Sequence, residues 1–291
     1  MRKDIKYENI IWDGNGLFWR SACACAKKIE NVEDSTFIYT HVILDFLKRV
    51  KEIQEQFGYV TSKIYFLFDN PKSKITTRQL IDEHYKSHRH NENVPKEFWD
   101  TLALLEMILQ CYSNNFVIMK LDYAEADDLV YPLITQKIKN EKTLLISADM
   151  DWSRALSLKE NVHWFDYSTL YWHKSIFKDE YGFYPERNKV KFYKALKGDH
   201  SDDIKPAIPY LPREVLLHII DHYDDIDVFV GSYNQDDGIP KQWKIKIIEN
   251  RSKILSNYAL VDFAPIEQNI ESYTTYCKEN IGELRYWYDL L

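Results

Sequence analysis

Three short apolar segments of this chain each lead directly to an aspartate. Two of them end at Asp13 and Asp69, and the third, at 144–148, precedes Asp149. Aspartate is disfavoured inside both strands and helices, so local propensity does not explain the pattern. In a parallel sheet, residues just past the carboxyl ends of the strands lie along one edge, where ligands bind. The pattern therefore predicts a parallel sheet with carboxylates at one edge.

Helical periodicity separates these apolar segments. Strands are predicted at 9–13, 63–69, 115–119, 143–147 and 161–165, with helices between them at 17–28, 34–58, 75–90, 96–111 and 122–139. This alternation indicates an α/β fold, with a mostly parallel sheet and helices on both faces. Beyond residue 185 the strand pattern fades, and helices are predicted at 186–197, 213–222, 241–259, 266–278 and 282–291. The sequence thus predicts two domains, an α/β domain at 1–185 and an all-helical domain at 186–291.

Composition narrows the class of protein. Of 291 residues, 45% are hydrophobic and 29% charged, which is typical of a globular protein with a sizeable core. We expect a cytoplasmic protein without a membrane partner, because no apolar run approaches membrane-spanning length and residues 1–10 lack a signal core. The four cysteines lack the spacing of a zinc site. The net charge of -7 argues only weakly against nucleic acid, since acids gathered at one site hide basic surfaces elsewhere.

Further acids are predicted at the same sheet edge. They are Glu125, Asp127 and Asp128 at a helix start, Asp151 beside Asp149, and Asp199 and Asp202 in the polar turn at 198–203. Simpler interpretations exist for single acids: Asp13 as a helix cap, Asp127 and Asp128 as N-terminal acids favoured by the helix dipole, and Asp199 and Asp202 as a solvated turn. Their common placement favours one shared site.

So many neighbouring carboxylates need cations, because like charges raise each other's pKa. Oxygen ligands without His or Cys select Mg²⁺ or Mn²⁺ over Zn²⁺. The number of acids suits two ions, which is the arrangement for in-line attack on a phosphodiester. The sequence therefore predicts a two-metal site that cleaves phosphodiesters.

Basic residues flank the predicted site. Arg78, Tyr85, Lys86 and Arg89 are spaced to share a helical face, which is either a solvated surface or a phosphate-binding one. Their position after Asp69 favours phosphate, with Tyr85 able to stack on a base. A second basic run before Asp199 is predicted to grip a duplex backbone. It contains Arg187, Lys189, Lys191, Lys194 and Lys197.

An ordered set of motifs resembles the 5'-nuclease, or flap endonuclease, superfamily over about residues 8–210. The motifs are Trp-Asp-Gly at 12–14, Leu-Phe-Asp at 67–69, Arg78 with Tyr-Lys-Ser-His-Arg at 85–89, Glu-Ala-Asp-Asp at 125–128, Ser-Ala-Asp-Met-Asp-Trp at 147–152, and Lys-Gly-Asp-His-Ser-Asp-Asp at 197–203. The segment at 254–263 is similar to the C-terminal region of the phage ribonucleases H within this superfamily. The resemblance implies a PIN-like domain with a helical arch, followed by a helix-three-turn-helix region that binds DNA.

The resemblance also implies the roles of individual residues. The first metal would be held or supported by Asp13, Asp69, Glu125, Asp127, Asp128 and Asp149, and the second by Asp151, Asp199 and Asp202. Arg78, Lys86 and Arg89 would contact the scissile phosphate and the 5' strand, so that Lys86, Arg78 and Asp149 are the catalytic candidates. Nucleic acid would be bound by Arg78, Tyr85, Lys86, Arg89, Lys191, Lys194 and Lys197.

The implied activity is that of a 5'-3' exonuclease and flap endonuclease with two Mg²⁺ ions, for which Mn²⁺ can substitute. The implied partners are DNA with a 5' flap, nick or RNA primer, and a single-strand DNA-binding protein or sliding clamp, with the enzyme as a monomer. Cellular members of the superfamily bind K⁺ in a Gly-rich hairpin. The corresponding segment here, at 204–213, has no glycine, which argues against a K⁺ site.

Two other functions compete with this interpretation. A PIN-type ribonuclease acting on single-stranded RNA would not need the long basic segment at 70–90 or the helical C-terminal region. A non-catalytic, structure-specific DNA-binding protein would be hindered by so many acids near phosphate. The basic segment with the helical region, and the large number of acids, therefore favour the 5'-nuclease over these two functions.

Overall fold

A six-stranded sheet forms the centre of the protein. The computed structural model describes residues 5–29, 35–69, 77–86, 96–112, 114–121 and 124–263. Strand order is β3-β2-β1-β4-β5-β6, with all pairs parallel except β5 with β6. The strands are β1 (Tyr7–Asp13), β2 (Gly58–Leu67), β3 (Phe116–Met119), β4 (Thr143–Ile146), β5 (Val162–Phe165) and β6 (Leu170–Tyr171). The predicted α/β fold with a mostly parallel sheet is confirmed.

Helices cover both faces of the sheet. One face packs on α1 (Gly14–Ile29), α2 (Ser35–Phe57) and α4 (Lys96–Tyr112), and the other on α5 (Ala126–Pro132) with the π-helical turn Leu133–Lys137 and the 3₁₀ helix Met150–Ser157. Alternate residues of a strand face opposite layers, as a period of two requires. In β1, Ile10 and Trp12 face the α1 side, and Ile11 faces the α5 side. Burial on both faces explains why the strands are continuously apolar.

The connections place a topological switch point beside β1. The chain runs outward from β1 to β2 and β3, then returns to β4 on the other side of β1. Ligand sites of open α/β sheets lie at the carboxyl ends of strands where the order reverses in this way. Asp13 is the last residue of β1, and Asp149 follows β4. Both acids therefore lie at the switch point, as the strand-end pattern predicted.

The remainder of the described chain is helical. Its helices are α6 (Lys174–Tyr181), α7 (Arg187–Lys197), α8 (Arg213–His222), α9 (Ile226–Ser232), α10 (Lys241–Glu249) and α11 (Arg251–Leu260). One apolar cluster continues from Leu129 of α5 to Phe192 of α7 and Ile219 of α8. The helical region thus packs directly on the α/β layer, and the division at residue 185 stays a prediction. Within the described residues, none of the helices has the length and apolar character needed to cross a membrane.

Several predicted boundaries differ from the structure. Within the predicted helix at 75–90, the described residues form a short helix, α3 (Thr77–Ile81), followed by turns, and the left-handed φ of 57° at Lys86 is incompatible with a helix through that residue. The predicted helix at 241–259 is interrupted at Asn250, where α10 ends and α11 begins. Three predicted features lie outside the described residues. They are the end of the predicted helix at 75–90, with Arg89, and the predicted helices at 266–278 and 282–291.

Candidate metal centre

Asp13 and Asp69 are fixed at adjacent strand ends by hydrogen bonds. The Ser147 hydroxyl donates to Asp13 Oδ2 at 2.9 Å, and the Gly16 amide to Asp13 Oδ1 at 2.8 Å. The amide of Ala126 donates to Asp69 Oδ1 at 2.8 Å, which ties β2 to the start of α5. The pKa of Asp13 is raised to about 6. Removal from water is the main cause, the hydrogen bond from Gly16 opposes the shift, and the charge of Asp69 adds to it. A cation near both carboxylates would relieve this electrostatic cost.

Asp149 and Asp151 begin the 3₁₀ helix that follows β4. Asp149 is its N-cap, and its Oδ1 accepts the Asp151 amide at 2.9 Å. The Asp149 amide donates at 3.0 Å to the same Ser147 hydroxyl that contacts Asp13. One serine therefore joins the ends of β1 and β4.

The acids at the start of α5 form the first cluster, consisting of Glu125, Asp127 and Asp128. All are buried, and Arg78 pairs with each of them, at 2.7 Å from Glu125 and 3.0 Å from both aspartates. Burial raises the pKa of Asp127 well above its ordinary value; Arg78 opposes this shift and Asp128 adds to it. Asp127 Oδ1 has no hydrogen-bond partner among the described residues.

A second cluster joins Asp151 to the turn after α7. Oxygen atoms of Asp151, Asp199 and Asp202 lie within 4.8 Å of one another. Asp199 is the N-cap of the 3₁₀ turn His200–Asp202, and its Oδ1 accepts the Ser201 amide at 2.9 Å. The predicted second-metal acids are thus brought together from separate parts of the chain.

Lys194 neutralises this second cluster in the structure. Its Nζ lies 2.8 Å from Asp151, 2.7 Å from Asp199 and 3.4 Å from Asp149. Burial alone would raise the pKa of Asp151, but Arg154 and Lys194 hold it below its ordinary value. Burial would likewise raise the pKa of Asp199, and Lys194 reverses that shift.

Gly198 shapes the turn that carries the second cluster. It has a φ of 81°, and a Cβ there would lie 2.5 Å from both the Ile204 carbonyl oxygen and the Pro206 nitrogen. We expect Gly198→Ala to lower the free energy of unfolding by about 1–3 kcal/mol, the usual cost of such a backbone conformation. Denaturant unfolding measures this change. Gly231→Ala in α9 is the control, because among the described residues the added Cβ has no neighbour within 4 Å beyond the adjacent backbone of its own helix. Equal stability of the two variants would contradict the prediction.

Three of the predicted nucleic-acid residues near Asp69 lie among the acids in the structure. Tyr85 is 3% exposed, and its hydroxyl oxygen lies 2.9 Å from an Asp202 oxygen and 3.2 Å from a Glu125 oxygen, so its ring is not available to a base here. Lys86 Nζ lies 2.6 Å from Glu125 and 3.4 Å from Asp202. Arg78 is likewise buried among the acids. These side chains face the carboxylates instead of an open surface.

The second basic run also differs from expectation. Lys191 and Lys194 are buried, at 7% and 4% exposure, and therefore do not present a grip for a duplex. Lys191 pairs with Asp262 at 2.8 Å, while Lys194 pairs with the second cluster. Lys197 is exposed and donates to the Tyr193 hydroxyl at 2.5 Å. Of these three lysines, only Lys197 lies at the surface.

Three residues to which the sequence analysis assigned no role complete the site. Ser147 joins Asp13 to Asp149, and Arg154 is a buried partner of Asp151. Asp262 accepts from Arg187 and Lys191 of α7. Ser147 belongs to a recognisable motif, whereas the role of Asp262 could not be read from the sequence because its partners Arg187 and Lys191 are distant in the chain.

The residues present fit divalent metal ions. The second cluster consists of carboxylates with closely spaced oxygens, and the first contains an unpartnered oxygen of buried Asp127. Oxygen-only donor sets suit hard divalent cations. Basic side chains compensate the acids in the structure, which is the electrostatic task that a metal ion performs.

Comparison with known proteins identifies a matching family and two similar proteins. A family model described as "5'-3' exonuclease, N-terminal resolvase-like domain" matches residues 8–182. The 5'-3' exonuclease of Buchnera aphidicola subsp. Baizongia pistaciae (strain Bp) is 23% identical over 241 residues, covering 82% of this chain and 73% of that protein. DNA polymerase I of Caldicellulosiruptor bescii is 27% identical over 228 residues, which are 75% of this chain but only 25% of that longer protein.

Solved structures share the fold. A bacteriophage T5 flap endonuclease in complex with DNA and metal ions has a TM-score of 0.64 at 19% identity, covering 91% of this chain and 96% of its own. The T5 5'-exonuclease with bound divalent zinc has a TM-score of 0.63 at 18% identity, covering 88% and 89% of the two chains. The α/β sheet and the helical C-terminal region are therefore both shared. By the match over residues 8–182, this chain belongs to the 5'-3' exonuclease family, and it is a phosphodiesterase with a metal-binding cluster of acidic residues.

Proposed function

We propose that this protein is a two-metal 5'-3' exonuclease and flap endonuclease that hydrolyses phosphodiesters at the 5' ends of duplex or RNA-primed DNA. The observation that carries the proposal is the meeting of Asp151, Asp199 and Asp202 within 4.8 Å, next to the acids at the ends of β1 and β2. Residues 1–185 would be the catalytic domain, and residues 186–291 the DNA-binding domain.

Two groups of acids would hold the ions, Mg²⁺ with Mn²⁺ as a substitute. The first ion is assigned to Asp13, Asp69, Glu125, Asp127, Asp128 and Asp149. The second is assigned to Asp151, Asp199 and Asp202. A pair of bound ions lowers the pKa of the attacking water and neutralises charge on the attacking and leaving oxygens. Asp149 lies between the groups, since it caps Asp151 and shares Ser147 with Asp13.

The basic side chains inside the site would bind the scissile phosphate. Lys86 and Arg78 lie at hydrogen-bond distance from Glu125, which supports a role for their charged groups at the proposed reaction centre. Bound cations would take over the neutralisation of the acids and leave these donors for phosphate oxygens. Arginine suits this exchange because its planar fork matches carboxylate and phosphate equally well. Lys86, Arg78 and Asp149 are the residues proposed to be catalytic.

Lys86→Ala is expected to lower turnover on a 5'-flap duplex by roughly 10²–10³-fold, the usual effect of removing one donor to transition-state charge. DNA affinity should change less, because Lys86 is directed at the carboxylates and not at the surface. Single-turnover cleavage and equilibrium binding separate the two quantities. Lys197→Ala is the matched comparison, expected to weaken binding more than turnover. A pure loss of affinity in the Lys86 variant would contradict its catalytic role.

Substrate choice and partners extend the proposal. The similarity of segment 254–263 to phage ribonucleases H supports RNA-primed DNA as a substrate, and hence primer removal during phage DNA replication in the host cytoplasm. A single-strand DNA-binding protein or a sliding clamp is the partner class that this role requires, with the enzyme as a monomer. The absence of glycine at 204–213 argues against a K⁺ site, so duplex contacts would rest on Lys and Arg side chains.

Product mapping tests the proposal. With 5'-labelled flap and RNA-primed duplexes, we expect short 5' products that require Mg²⁺. Preferential cleavage of single-stranded RNA would instead support a PIN-type ribonuclease. Binding of flap DNA without Mg²⁺-dependent cleavage would support a structure-specific DNA-binding protein.

A further inference from the structure

A three-residue segment after α11 contacts both acid clusters through arginine. It consists of Val261, Asp262 and Phe263 and is called the C-terminal strap below. We propose that the strap positions the two acid clusters for metal binding, with Asp262 as the residue that anchors the strap. The inference rests on the proposed two-metal function, because it concerns how those acids are held.

Arg78 links the strap to the first cluster. Its Nε donates to the Asp262 carbonyl oxygen at 3.2 Å, while its two terminal nitrogens hold the cluster acids. The guanidinium is planar, so a bond at Nε limits the directions in which the other nitrogens point. The strap carbonyl therefore orients the group that holds Glu125, Asp127 and Asp128.

Arg154 links the strap to the second cluster. One of its terminal nitrogens, Nη2, donates to the Val261 carbonyl oxygen at 2.7 Å and also to Asp151. Its guanidinium lies 4.4 Å from the centre of the Phe263 ring. Arg154 is buried, and its Nε and Nη1 have no hydrogen-bond partner among the described residues. The strap is thus a principal contact that fixes this arginine against Asp151.

The Asp262 carboxylate anchors the strap to α7. Arg187 donates to Oδ1 and Lys191 to Oδ2, each at 2.8 Å. The same helix carries Lys194, which contacts Asp149, Asp151 and Asp199. One carboxylate therefore holds a backbone segment whose two carbonyls are bonded to the arginines of both clusters.

This arrangement resembles the outer partners that orient metal ligands. Loss of such a partner typically weakens metal affinity by 10–100-fold, because the ligand keeps its chemistry and loses its orientation. Packing of the strap alone would affect stability without changing metal affinity. The two roles therefore differ in a measurable quantity.

Asp262→Asn tests the strap, since it removes the anchoring charge and keeps the side-chain size and both carbonyls. We expect Mn²⁺ binding to the full-length protein, measured by titration calorimetry without DNA, to weaken by about tenfold or more. Half-maximal flap cleavage should require correspondingly more Mg²⁺, with turnover recovering at saturating metal. Asp236→Asn is the matched control, because Asp236 also pairs with a basic group, His218 at 2.9 Å, in the helical region away from the acids.

The outcomes are separable. Unchanged Mn²⁺ affinity in Asp262→Asn overturns the inference, including the case in which its thermal midpoint falls as far as that of Asp236→Asn. If Asp262→Asn does not fold, Asp262→Glu, which keeps the charge and moves it, serves in the same titration. A wild-type protein that fails to cut flap DNA, while its Mn²⁺ affinity still depends on Asp262, overturns the proposed function and not the strap.

Discussion

Asp149→Asn protein is expected to lose cleavage of a 5'-flap substrate by at least about 10³-fold, which corresponds to about 4 kcal/mol of transition-state stabilisation. The reason is position. Asp149 caps Asp151, shares Ser147 with Asp13 and lies 3.4 Å from Lys194. It therefore lies between the two proposed metal groups, and an amide in its place supplies no anionic oxygen to the first ion and makes the cap that positions Asp151 neutral.

The substitution should leave the fold and DNA binding intact. Asparagine is as good an N-cap as aspartate, so the bond to the Asp151 amide is retained. Asp225→Asn is the matched control, because Asp225 caps α9 by accepting the Asp227 amide at 2.8 Å and lies in the helical region. Rates from labelled flap DNA, together with gel-shift affinities, measure both quantities. Retained cleavage in the Asp149 variant would remove the basis for the site assignment.

Convergence of the acids could be predicted from sequence because it depends on few physical facts. Parallel strands present their carboxyl ends at one edge, so Asp13 and Asp149 lie at the same edge if residues 9–13 and 143–147 are both strands of one sheet. The order of the strands in the sheet is not encoded locally. In any parallel order, however, the carboxyl ends of the strands lie at the same edge. The two-residue strand β6 was missed because so short a segment has no measurable alternation.

The burial and the partners of the basic side chains could not be predicted, because they depend on contacts between residues that are distant in the chain. Lys191 and Lys194 have the spacing of a surface face, but α7 packs that face against the acids and the strap. A net charge of -7 was consistent with this arrangement, since buried cations are matched by acids in the same site. Tyr85 was predicted to stack on a base, yet its hydroxyl is bound to two cluster acids.

These buried pairs change the interpretation of the site as a whole. Without cations, the carboxylates of a nuclease centre would repel one another. Here the positive charge is supplied by Arg78, Lys86, Arg154 and Lys194. Protein cations and metal ions thus perform the same electrostatic task at the same carboxylates. At the second cluster, Lys194 and a metal ion should therefore compete, and this competition is measurable as a change in the free energy of unfolding.

Lys194→Met is expected to lower the free energy of unfolding of the metal-free protein by about 3–5 kcal/mol, since it leaves buried acids uncompensated. Methionine keeps the length and apolar stem of the lysine, so packing is largely retained. Burial alone would lower the pKa of Lys194, but Asp149, Asp151 and Asp199 raise it above its ordinary value, so the side chain is charged at neutral pH. The predicted loss is therefore electrostatic in origin.

Divalent ions should reverse much of this loss. A ligand that binds only the folded state at about 100 times its dissociation constant contributes about 2.7 kcal/mol, and the variant offers more uncompensated charge than the wild type. Denaturant unfolding with chelator or with Mn²⁺ measures both effects. Lys189→Met on the same helix is the control, because its partner Asp221 is 3.6 Å away and exposed, a pair worth at most about 1 kcal/mol. If Mn²⁺ stabilises the Lys194 variant no more than the Lys189 variant, the lysine and the metal do not share a site.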